Sequence, residues 1–207
     1  MTVMKRILVV VITALVAFAL VIAAYFVTKD KVKENEEKKI EQAFEAVYPD
    51  AASFDEANYR TDYLQRFLEE NGYPDDQVYV NKVTFARNEV RDVQGIVVQV
   101  SSYKKYGGII SMLVGVKNDG TVNGYSILNI SDAKGLDFKV RDSEFADQFK
   151  DKKADRFTLV NYQAKLANEI LSANGAEDAS QAVLKGVNAA LLTNTFVDEY
   201  FGGVLGQ

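Results

Sequence analysis

Residues 171–180, LSANGAEDAS, hold the side chains whose types and spacing come closest to a chemical site. Glu177 and Asp178 open an apolar-periodic stretch, and the start of a helix attracts anions through its free N–H groups and its dipole. Two carboxylates in that first turn satisfy the dipole and repel an incoming phosphate. Asn174 stands three residues ahead of Glu177, the spacing of a capping box in which Asn accepts from the third residue and Glu reaches back. Glu177 and Asp178 cannot work as an acid/base pair, because neighbours on a helix point about 100° apart. Elsewhere, Lys134 beside Gly135, and Lys104 and Lys105 ahead of Gly107-Gly108, are amines that could hold a phosphate.

The rest of the composition narrows the chemistry. The 207 residues include no His and no Cys. A Ser-His-Asp triad, a His-based metal site, a thiolate zinc site, an iron–sulfur cluster and a disulfide are therefore excluded. The only charges before Thr28 are Lys5 and Arg6, so all 29 acidic residues, and all but those two of the 24 basic ones, belong to the remainder. So acidic a body is a poor partner for nucleic acid. At 48% hydrophobic and 26% charged, the chain has the balance of a folded protein.

Periodicity supplies the elements that must position these residues. Residues 7–27 carry no charge and would span about 31 Å as a helix, close to a bilayer's hydrocarbon core. With Tyr25 and Phe26 at its end, this reads as an uncleaved transmembrane anchor. Val32, Ile40, Phe44 and Val47 at near-helical spacing predict an amphipathic membrane-proximal helix over 28–48, ending before Pro49. A helix over 55–70 is predicted next, stopped by Asn71-Gly72.

From Val78 the apolar period changes to two, predicting strands at 78–85, around Ile96, Val98 and Val100, at 109–117 and at 121–128. Asn118-Asp119-Gly120 joins the last two as a hairpin turn. A glycine pair at 107–108 makes another tight connection, a short helix is expected over 143–149, and a strand over 157–160. A long helix over 177–200, with Ala179, Val183, Val187, Ala190 and Leu191 as its apolar stripe, completes an α+β body with an antiparallel sheet. The domain plan is a tail at 1–6, an anchor at 7–27, the membrane-proximal helix at 28–48 and a folded domain at 49–207.

The order of apolar anchor, VTKDKVKENEEKKIEQAFEAVYPDAASF stalk, KYGGIISMLVGVKNDGTVNGYSIL hairpin, KGLDFKV, FADQFKDK and NEILSANGAEDASQAVLKGVNAAL resembles the G subunit of the Rnf electron-transport complex. It is also similar to the C subunit of the sodium-pumping NADH:quinone oxidoreductase. The resemblance runs almost end to end. It implies an extracytoplasmic FMN-binding domain on one membrane helix, working in a multisubunit, ion-translocating membrane complex. The positive-inside rule counted literally would leave the body in the cytoplasm, since Lys29, Lys31, Lys33, Lys38 and Lys39 follow the span.

In that family FMN is joined through a phosphoester to a threonine in a D-x-x-S-G-A-T-x-T-S segment. By motif match the cofactor-binding positions are Asn174, Gly175, Ala176, Glu177 and Ser180, with Gly135 and Leu136 from the family's E-T-P-G-L-G loop, here Asp132 to Asp137. Leu171 replaces the family's Asp, Asn174 its Ser, Glu177 the acceptor threonine and Ala179 the second threonine. Ala133 and Lys134 replace the loop's Thr and Pro. Covalent FMN is therefore not expected, and FMN implied by the resemblance would be held noncovalently.

Two functions remain open. One is a G-like electron-carrier subunit docked to other subunits of an Rnf-like complex. The other is a flavin-free structural or assembly subunit of a membrane complex. Neither is a stand-alone enzyme.

Overall fold

The computed structural model describes the backbone of residues 3–131 and 135–203, and side chains at 11–14, 16–20, 23 and from 34 onward within that range. The side chains of Lys5, Arg6, Tyr25, Phe26, Lys29, Lys31, Val32 and Lys33, and all of Asp132, Ala133 and Lys134, lie outside the described residues. The chain separates into two units, Met1–Glu41 and Gln42–Gln207.

Helix α1 runs Val3–Val47, so the backbone is helical through both the expected anchor and the expected membrane-proximal helix. Val11, Ile12, Val16, Phe18 and Leu20 are exposed apolar side chains on it. Among the described residues, no helix is long and apolar enough to cross a membrane.

The second unit is built on a six-stranded antiparallel sheet whose strands lie side by side in chain order. They are β1 (Ser53–Glu56), β2 (Val78–Arg87), β3 (Val93–Tyr103), β4 (Ile109–Lys117), β5 (Thr121–Ile130) and β6 (Lys152–Lys153). Three of the expected strands are present, longer by a few residues at some ends, and β4 matches its expected bounds. The hairpin forms as expected: Gly120 takes φ +83°, and Asp119 Oδ1 accepts from Thr121 N at 2.9 Å.

The helix expected over 55–70 is shorter. Residues Ser53–Glu56 form β1, and α2 covers Thr61–Glu70. Local pattern loses there to tertiary pairing: Phe54 and Asp55 register with Ala86 and Phe85, and Asp55 meets the Arg87 Nε at 2.7 Å. The stop of α2 is as expected, with Gly72 at φ +88° and Tyr73 N donating back to Leu68 O at 2.9 Å.

The α4 helix, Glu177–Tyr200, packs on one face of the sheet. Ile96, Val98 and Val100 of β3, with Met112 and Val114 of β4, meet Ala179, Val183, Val187 and Ala190 in one buried core. Alternation at period two against period 3.6 brings these stripes together. Gly186 permits the approach, since a Cβ there would lie 2.1 Å from Met112 Cε.

The opposite face receives the last turn of α1. Ala43, Val47 and Tyr48 bury against Ala86, Val97 and Leu113. Glycines again allow the contact: a Cβ at Gly115 would sit 2.3 Å from the Val47 carbonyl oxygen. Tyr48 donates its hydroxyl to Gln94 O at 2.6 Å, and burial pushes that phenol up to about 12.

Past β5 come a 3₁₀ helix at Asp137–Arg141, a single turn α3 at Ser143–Ala146, and a small parallel pair of β7 (Thr158–Val160) and β8 (Glu169–Leu171). The short helix expected over 143–149 thus ends early, continuing as hydrogen-bonded turns to Phe149. Phe145, Phe149 and Phe157 pack edge to face beneath these turns and anchor them to the core.

Candidate functional site

The two segments singled out from the sequence come together at the N-terminus of α4. Gly175 sits at φ +78°, and a Cβ on it would meet Leu136 Cδ1 at 2.8 Å. Glycine is required there on both counts. Gly135, at φ +55°, turns the chain into the exposed Leu136, and Lys139 Nζ donates to Asn174 O at 3.0 Å.

The helix start differs in part from a capping box. Glu177 does reach back, but to Gly175 rather than to Asn174, its Oε1 accepting from Gly175 N at 3.0 Å. Ala176, buried, is the N-cap, and no side chain caps the helix. Asn174 contributes its carbonyl rather than its side chain. The positive φ of Gly175 moves Asn174 off the cap position, which explains the departure. Hydrogen bonds from its own N–H and Gly175 N–H, then the Lys139 charge, hold the Glu177 carboxyl below the usual range.

Asp178 has a role that spacing did not reveal. Its Oδ1 accepts from Lys105 N at 2.7 Å and its Oδ2 from Tyr106 N at 3.2 Å. One carboxylate thereby holds the turn between β3 and β4 against α4. That turn is closed by Lys104 N donating to Gly108 O at 3.0 Å, with Gly107 and Gly108 both at positive φ. The glycine pair is a hairpin connection, as its sequence suggested.

Lys104 does not face a ligand. It is buried and meets Asp137 Oδ2 at 2.8 Å, tying the same turn to the 3₁₀ helix. The Lys105 ammonium lies over its neighbour's ring, 5.2 Å from the Tyr106 centroid. Of the two, only Lys104 is committed to a buried ion pair.

Ser180 is also absorbed by the fold. It is fully buried, and its Oγ accepts from Ala173 N at 3.0 Å. Gln148 holds the other wall, accepting from Leu171 N at 2.7 Å and donating to Leu171 O at 3.0 Å. The Tyr125 hydroxyl donates to Val140 O, pinning the 3₁₀ helix to β5.

These ties leave a cleft of about 360 Å³ beside α4. It is lined by Lys139, Asp142, Glu144, Phe145, Gln148, Asn161, residues 171–174 and Glu177. Three carboxylates and one amine are in that lining, together with the exposed Leu171 and the buried Phe145. Sequence reasoning missed the contacts made by Lys139, Asp137 and Gln148, whose partners are distant along the chain.

Residues 105–192 match the family model described as an FMN-binding domain. More particularly, the chain is similar to the G subunits of two ferredoxin:NAD(+) oxidoreductase complexes. It is 28% identical to the G subunit of the proton-translocating complex of Clostridium ljungdahlii, over 87% of this chain and 85% of that one. It is 28% identical to the G subunit of the Na(+)-translocating complex of Acetobacterium woodii, over 87% and 86%. The crystal structure of Shewanella oneidensis NqrC superimposes with a TM-score of 0.48 at 16% identity, covering 61% of each chain.

The residues present do not fit a covalently held FMN at the motif position. A phosphoester needs a hydroxyl oxygen, and Glu177 has none. Ser180, the nearest hydroxyl in α4, is buried and engaged. The Gly175 N–H that could receive a phosphate oxygen is taken by Glu177.

Proposed function

We propose that this chain is the G-like subunit of an Rnf-type, ion-translocating electron-transport complex. The observation that carries the reading is similarity to the G subunits of two ferredoxin:NAD(+) oxidoreductase complexes over 87% of the chain. Residues 7–27 anchor it in the membrane, residues 28–48 form the membrane-proximal helix, and residues 49–207 make the extracytoplasmic domain. The exposed apolar side chains at Val11, Ile12, Val16, Phe18 and Leu20 support the anchor, because such a surface is at home in lipid rather than water.

FMN is the cofactor of the matched domain type, and a flavin, when bound, would supply one- or two-electron transfer. In this reading the chain's own part is to fix the turn at 104–108 and the 3₁₀ helix around the cleft. Glu177 favours the second reading, a flavin-free assembly subunit of the same kind of complex, since it removes the attachment hydroxyl.

The test is purification of the tagged full chain from its native membranes in mild detergent. Mass spectrometry should identify the other subunits of a ferredoxin:NAD(+) oxidoreductase-type complex in stoichiometric amount. Recovery of the chain alone, or with unrelated proteins, refutes the assignment. Topology follows from a Lys150→Cys variant, usable because the native chain has no cysteine. It should react with an impermeant maleimide added outside intact cells.

A further inference from the structure

We propose that Asn174 is a site of spontaneous deamidation, converted by attack of its own backbone to aspartate and isoaspartate, with the Glu177 carboxylate as the base that starts the reaction. The reaction needs no ligand and no partner subunit.

An asparagine followed by glycine is the one most open to attack by the next backbone nitrogen, because glycine has no side chain to obstruct the approach. The sequence holds three such pairs, at 71–72, 123–124 and 174–175. The fold treats them differently. Asn71 closes α2, with its Nδ2 donating to Phe67 O at 2.9 Å and Gly72 N donating to Glu69 O at 3.0 Å. Asn123 lies within β5, where its Nδ2 donates to Val47 O at 2.9 Å and Gly124 is in register with Gly115. In both pairs the amine that must leave is tied to a backbone carbonyl, and turning the side chain toward the attacking nitrogen breaks that bond.

Asn174 is exposed, and among the described residues its side-chain amide makes no hydrogen bond. Only its backbone carbonyl is held, by Lys139 Nζ at 3.0 Å. Gly175, also exposed, directs its N–H at a carboxylate oxygen, Glu177 Oε1, at 3.0 Å. A backbone amide becomes a nucleophile as its proton departs, and a carboxylate within hydrogen-bond reach is placed to take that proton. The carbonyl that faces Gly72 N–H is far too weak a base for this.

Gly175 N bonds to Asn174 Cγ as its proton passes to Glu177. Glu177 returns the proton to Nδ2, the Cγ–Nδ2 bond breaks, and ammonia leaves behind a succinimide ring. Water then opens that ring. Addition at Cγ gives aspartate, and addition at the main-chain carbonyl gives isoaspartate, whose chain runs on through the former side chain. The sum is amide plus water to carboxylate plus ammonium, with no change of oxidation state. Either product places a further carboxylate beside Glu177. Isoaspartate also lengthens the main chain by a methylene just ahead of Gly175, where a Cβ would already meet Leu136 Cδ1 at 2.8 Å.

The test is timed incubation of the purified full chain in detergent at neutral pH, followed by tryptic peptide mapping. The three pairs fall in separate tryptic peptides, and tandem mass spectra locate each deamidated residue. In the folded chain Asn174 should deamidate about tenfold faster than Asn71 or Asn123, and in concentrated urea the three rates should converge. Glu177→Gln keeps an acceptor for Gly175 N–H that cannot take its proton. It should slow Asn174 about tenfold in the folded chain and leave the other two sites unchanged.

An Asn174 no faster than the other two sites in the folded chain overturns the inference. So does a preference that persists unchanged in urea, or a Glu177→Gln chain with a native melt in which Asn174 reacts as fast as before or faster. If that variant does not fold, the comparison of the three sites within the native chain decides.

Discussion

Replacing Lys104 by Met should be among the more damaging single changes to the folded domain. The Lys104 and Asp137 side chains are 2% and 11% exposed and meet at 2.8 Å, joining the turn between β3 and β4 to the 3₁₀ helix. Lys104→Met preserves the stem over Gly108 but leaves the Asp137 carboxylate buried without its ammonium. Breaking one side of such a pair costs about 3–5 kcal/mol. For a domain of this size, each kcal/mol moves the melting temperature by about 2–4 °C, so a fall of about 6–20 °C is expected. The double variant Lys104→Met/Asp137→Leu removes both charges and should recover at least about half of that loss. The assay is thermal unfolding of the full chain in detergent by circular dichroism at neutral pH. A single variant costing under about 1 kcal/mol, or a double variant no better than the single, would refute the buried-pair argument.

Gly115→Ala should cost about 1–3 kcal/mol, because its Cβ would lie 2.3 Å from the rigid Val47 carbonyl. Gly186→Ala, whose Cβ meets the end of the unbranched Met112 side chain and, at 3.3 Å, Val100 Cγ1, should cost less than Gly115→Ala, since a side-chain end can give where a backbone carbonyl cannot and alanine favours the helix. Paired urea titrations compare the two, and equal costs would count against the distinction. Asn188 is 2% exposed and both accepts from Phe157 N and donates to Phe157 O. Asn188→Leu should therefore lose about 2–4 kcal/mol and release β7, read as faster amide exchange at Thr158 to Val160.

Glu169 accepts from Lys165 N and Leu166 N, which hold its carboxyl below the usual range. A depressed carboxylate stabilises the fold above its unfolded value and loses that contribution as pH falls through the folded one. Melting temperatures of native and Glu169→Gln protein should differ at pH 7 and converge in acid. A difference that persists unchanged in acid would assign it to packing instead.

What could be read locally was read from patterns that carry their own physics. Period-two alternation at Ile96, Val98 and Val100, the Asn118-Asp119-Gly120 turn, and the bounds of α4 needed no distant partner to be recognised. The resemblance to G subunits likewise rested on order and motif, and the relatives bear it out. Glu177 at the place of a hydroxyl was equally plain, because a carboxylate cannot form the ester wherever it sits.

Tertiary structure decided the rest. Residues 55–56 joined an edge strand rather than a helix because β2 offered a ladder and Arg87 a counter-charge. Lys104 became a buried strut rather than a phosphate ligand because Asp137, 33 residues on, folds over it. Asp178 became the clasp of a turn 72 and 73 residues away, a role invisible beside its neighbour Glu177. Residue types and periodicity set which elements form and which chemistry is absent. Which charges neutralise one another depends on distances across the chain, and those exist only once it has folded.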